Sequence, residues 1–92
     1  MKYVKSFLFY NEEAHELRAN ALKIALADEL FYCYQNFGEK TNYNIDEVFE
    51  AATREMWNID EKEQIINDAI KLLKTNHNVD VTNFSELQFK NV

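Results

Sequence analysis

The chain has no proline, one glycine (Gly38) and one cysteine (Cys33) in 92 residues. Tight turns between strands draw on glycine and proline, so this scarcity counts against an all-β fold. Helices joined by short polar connections need neither, and the composition leans to α. A lone cysteine closes no internal disulfide and cannot build a cysteine-based zinc site. Glycine-rich phosphate loops need several glycines, which excludes nucleotide binding by those motifs. No run approaches the ~20 apolar residues that span a bilayer. The opening stretch from Met1 to Tyr10 has only a short apolar run, cut off by Asn11-Glu12-Glu13, and does not read as a secretory signal. The expectation is a cytoplasmic protein with no membrane association and no cofactor.

Positive charge is also scarce. Sixteen acids face ten Lys and Arg residues, giving a formal net charge of −6. Nucleic-acid binding rests on phosphate neutralisation, so direct binding is not expected. A protein partner remains compatible with this balance. What the chain does have is hydrophobic material: 47% hydrophobic and 14% aromatic residues, ample for a folded core. Asn, Lys, Ile, Phe and Tyr are plentiful and Arg is sparse, a bias common in AT-rich genomes, including phages of low-GC bacteria. At this length the chain is expected to be a single domain, residues 1–92.

The expected fold class is mainly α: a small three-helix domain with a long first helix and room for a short extended element at each terminus. Residues 2–10 fit either a helix face or a strand, and we lean to extended structure there. Asn11 then caps a helix with Glu12, Glu13 and Glu16 in its first turns. It runs without interruption to about Asn36, on the order of 37 Å, with Gly38 as its C-terminal cap. Asn44 or Asp46 starts a second helix carrying Ile45, Val48, Phe49, Ala52 and Met56 on one face and ending near Trp57. Asn58 or Asp60 caps a third, roughly residues 61–76, with Ile65, Ala69 and Leu72 on one face, widened by Ile66, Ile70 and Leu73. Val79-Asp80-Val81 alternates like a short strand, and Thr82 is expected to cap a final turn carrying Phe84 and Leu87.

The first helix has two apolar stripes. At 100° per residue, Leu17, Ala21, Ile24, Ala25, Phe31 and Tyr32 fall on one side, with Asp28 set among them. Leu22, Leu26, Leu30, Cys33 and Phe37 fall roughly opposite. A helix apolar on two sides must bury both. Either the remaining elements pack on both sides of it, or one stripe meets a partner or a second copy. Two helices and a short terminal element are thin cover for both.

Candidate chemistry is sparse. Glu12 and His15 have the Glu-x-x-His spacing of carboxylate-bridged metal bundles, but the second copy such sites require is missing, because Lys74 stands where an acid should precede His77. No metal site is expected. Cys33 lies among apolar neighbours, where thiols are inert, and no catalytic residue is expected. The second and third helices have helix-turn-helix spacing, yet the reading helix would open with Asp60-Glu61-Lys62-Glu63 and set three acids against phosphate. Nine acids, Glu12, Glu13, Glu16, Asp46, Glu47, Glu50, Asp60, Glu61 and Glu63, fall in the first turns of the expected helices, where dipole complementarity accounts for them.

The resulting expectation is a non-enzymatic protein–protein interaction module. It would self-associate as a homodimer, or bind and inhibit a host factor as a phage or mobile-element protein. The alternative is an acidic mimic of DNA that blocks a nucleic-acid-binding protein. The candidate contact residues are Leu22, Leu26, Asp28, Leu30, Tyr32, Cys33, Phe37 and Trp57. Tryptophan is included because an exposed ring is a frequent anchor.

Overall fold

A computed structural model describes the backbone of residues 2–92 and the side chains of residues 17–92. Three helices are followed by a hairpin: α1 (Lys2–Phe37), α2 (Ile45–Ala52), α3 (Ile59–His77), β1 (Val79–Asn83) and β2 (Gln88–Asn91). The mainly helical, three-helix expectation with a long first helix holds.

The helix ends are set by local chemistry. Asn44 and Asn58 each accept from the backbone N–H three residues on, at 2.8 Å, through their side-chain oxygen. In return the Glu47 and Glu61 carboxylates accept from the cap N–H groups at 3.3 Å. These are reciprocal capping boxes, and each satisfies two donors that the first turn leaves orphaned. Gly38 ends α1 in the left-handed region at φ +81°, donating its N–H to the Tyr34 carbonyl at 2.9 Å. Asn78 does the same for α3 at φ 58°, donating to Lys74 O at 3.0 Å.

Three local expectations change. The chain is helical, not extended, over residues 2–10, and Asn11 lies inside α1 rather than capping it. Tyr3, Phe7 and Tyr10 already have helical spacing in the sequence, and no proline or glycine separates them from the strong helix formers that follow. The helix-end account of the acids shrinks accordingly: α1 has no acid in its first turn, leaving Asp46 and Glu47 in α2 and Asp60 and Glu61 in α3. Second, α2 stops at Ala52, and Met56 stands 96% exposed instead of on the core face. The box at Asn58 requires that residue to be extended, so the chain must leave helix before it. Third, Phe84 and Leu87 lie in the bend of an antiparallel hairpin and not in a final helical turn. Asn83, rather than Thr82, organises that bend, its side-chain oxygen accepting from Ser85 N and Glu86 N, both at 3.1 Å.

The hairpin closes the bottom of the fold. β2 lies between β1 and the α1–α2 connection. Thr41 N donates to Leu87 O at 2.9 Å, Leu87 N to Tyr43 O at 2.8 Å, and Phe89 N to Glu39 O at 2.8 Å. The buried Thr41 hydroxyl is satisfied by the Tyr43 backbone at 3.2 Å, as a buried hydroxyl requires. One core joins all elements: Leu22, Leu26, Leu30 and Cys33 of α1, Val48 and Phe49 of α2, Ile65, Ala69 and Leu73 of α3, and Val79, Leu87 and Phe89 of the hairpin. A 2.7 Å ion pair from Lys62 to Asp46 ties α3 to α2, with the same ammonium 5.2 Å from the Phe49 ring centre. Among the described residues no helix is long and apolar enough to cross a membrane.

Candidate functional site

Both stripes of α1 are real, and they have opposite fates. Leu22, Leu26, Leu30 and Cys33 are buried against α2, α3 and the hairpin. The reading that other elements cover both sides of α1 is therefore corrected, and so is the place of these four residues as outward contacts. Their surface is already occupied by the chain itself. The opposite stripe is bare. Leu17, Ile24 and Tyr32 are 62%, 54% and 60% exposed, and Ala21, Ala25 and Asp28 are exposed between them. The reason is geometric. α2, α3 and the hairpin all pack against the Leu22–Leu26–Leu30–Cys33 side of α1, so among the described residues no element covers the other.

The exposed stripe is interrupted at its C-terminal end by Phe31. Its ring stacks on the His77 imidazole, centroids 3.8 Å apart and planes 8° from parallel. That stack seals the edge where α1 meets the end of α3. At the N-terminal end of the described stripe, Arg18 Nε sits 3.1 Å from Glu55 Oε2, both side chains about half exposed. The bare face thus has a cation at its margin at one end, and the Asp28 carboxylate within it towards the other.

The remaining expected contacts lie elsewhere. Phe37 is exposed beside Tyr43, ring centres 5.6 Å apart. With Tyr32 and Val48 these rings line a groove of about 320 Å³ between α1 and α2. Trp57 is half-buried and packs on the core at the α2–α3 junction. Sequence reasoning left out of the contact set Leu17 and Ile24, and also the exposed Met56 and Ile59 around the α2–α3 junction. The signal for the first two was present. Leu17, Ala21, Ile24, Asp28 and Phe31 step by four, three, four and three residues, the alternation of a helix–helix seam.

Chemical groups do not converge. Burial, with the Glu29 carboxylate adding, pushes the Cys33 thiol above its ordinary range, so it stays protonated and a poor nucleophile at neutral pH. Glu12 and His15 lie outside the residues whose side chains are described. Among the described residues no three His, Cys, Asp or Glu side chains gather as metal ligands. Comparison of the chain with protein-family models, with curated proteins and with solved structures gives no match.

Proposed function

We propose that this protein is a protein–protein interaction module whose contact surface is the outward face of α1. The observation that supports this reading is the exposure of Leu17, Ile24 and Tyr32 on a helix whose opposite face is buried in the core from Leu22 to Cys33. Contiguous apolar surface of this kind is costly to leave in water and marks interaction sites more often than isolated exposed residues do. The module acts by occupancy: it covers a surface of another molecule and performs no chemistry. Its compositional bias fits a cytoplasmic phage or mobile-element protein that blocks a host factor in this way.

The test is substitution on the bare face. Ile24→Glu and Leu17→Glu place charges where the fold buries nothing, so both variants should keep wild-type helicity by circular dichroism. Both should lose the association that light scattering or capture from the native host detects. Association unchanged in both variants would refute this assignment. The acidic-mimic alternative draws on the acids of α1, which lie beyond the reach of the helix-end account. It requires capture of a nucleic-acid-binding protein that collapses between low and high salt, since exposed charge attraction is screened.

A further inference from the structure

Resting on that reading, we propose that the occupant of the bare face is α1 of a second copy, packed antiparallel about a two-fold axis between Leu22 and Lys23. In this arrangement Arg18 of each copy pairs with Asp28 of the other. The four-three alternation of the exposed Leu17, Ala21, Ile24 and Asp28 is the pattern that lets two helices supercoil and interdigitate. A surface that must only stay wet has no reason for such spacing.

Charge selects the orientation. In a parallel, in-register pair Asp28 would face Asp28 of the second copy across the seam, and like charges there repel. The antiparallel crossing moves Asp28 beside Leu17 and Arg18 of the second copy. Arg18 and Asp28 are ten residues apart, about 15 Å along one helix, too far to pair within a chain. Across the two-fold axis, Arg18 of each copy comes within one residue of the level of the other's Asp28, close enough for the side chains to meet, and the contact forms twice. Arg18 is available for this, because its bond to Glu55 is half exposed and uses one face of the guanidinium fork. Size is matched as well: Ala21 of one copy lies opposite Ile24 of the other, a small residue against a large one, twice over. The buried face of α1 points away from the axis, so α2, α3 and the hairpin of each copy stay clear of the seam.

Charge reversal tests the pairing. By sedimentation equilibrium the wild-type protein is expected to run at twice the chain mass at micromolar concentration. Asp28→Arg and Arg18→Asp should each weaken the dimer about ten-fold or more, because each sets like charges together twice. The two combined should bring affinity back to within about three-fold of wild type, since the pair is re-formed with its signs exchanged. Both positions are exposed, so circular dichroism should show the helicity of all variants unchanged. A monomer at high micromolar concentration overturns the proposal. So does a dimer indifferent to Asp28→Arg, or a combined variant no tighter than the single ones. A monomer that captures a host protein, and loses it on Ile24→Glu, overturns the second copy as occupant and leaves the contact face standing. A dimer that survives Ile24→Glu removes both.

Discussion

Leu26→Ala and Ile24→Ala, two truncations two residues apart on α1, should differ sharply in cost. Leu26 is fully buried between α2, α3 and the hairpin, whereas Ile24 keeps 54% of its surface in water. Removing the Leu26 side chain loses its transfer free energy and leaves a cavity that the surrounding core fills only in part, about 3–5 kcal/mol. A domain of this length has a total stability of about 5–14 kcal/mol. Leu26→Ala should therefore remove about a fifth or more of it and lower the melting temperature by about 12–40 °C. Ile24→Ala removes carbon that is already half wet, a loss under about 1 kcal/mol. Alanine's better helix propensity returns a few tenths of that, so the net change should be near zero. The assay is urea unfolding followed by far-UV circular dichroism, repeated across a range of protein concentrations. Self-association would otherwise add a concentration-dependent term to the Ile24 result. At the lowest concentration the two variants should be well separated. An Ile24→Ala cost above about 2 kcal/mol, with Leu26→Ala below about 1, would mean that the faces of α1 are assigned the wrong way round.

Three further outcomes follow from single contacts. Asn58→Ala removes the side-chain half of the α3 capping box, the Asn58 oxygen that accepts from Glu61 N, and should cost about 1 kcal/mol in urea unfolding, with Asn58→Ser recovering most of it. Asn78→Gly should raise stability by up to about 1 kcal/mol, because the left-handed cap at φ 58° strains any residue with a Cβ; a loss would show that the Asn78 side chain makes a stabilising contact. Cys33 has a pH signature. Its thiol is pushed up by burial, so the folded chain holds a proton that the unfolded chain releases. The stabilisation is complete below the ordinary thiol value of about 8.5 and is lost as the pH climbs from there through the folded value. Wild-type stability should fall above that pH more steeply than that of Cys33→Ala, and equal slopes would contradict the assignment.

The parts of this fold that were legible in the sequence are those decided within four residues. Asn44 with Glu47, Asn58 with Glu61, and Gly38 after Phe37 specify helix ends through contacts made inside one turn, and all three are where the residue types place them. The two stripes of α1 were equally legible, because 100° per residue fixes which side chains share a face. Which stripe would be inside was not. Leu22, Leu26, Leu30 and Cys33, contact candidates by sequence, are core, while Leu17 and Ile24 stand in water. Residues 2–10 and 82–87 are ambiguous in the sequence for a related reason: short apolar runs suit a helix or a strand until their neighbours are known. Val79 reaches its partner Asn91 twelve residues away only because the chain reverses after Asn83, and Leu87 is buried because the α1–α2 connection docks along β2. Local chemistry thus determined where each element starts, stops and turns its apolar sides. Only the tertiary structure decided which side of the longest helix the rest of the chain could reach, because burial depends on partners distant in sequence and two short helices and a hairpin cover one face of α1.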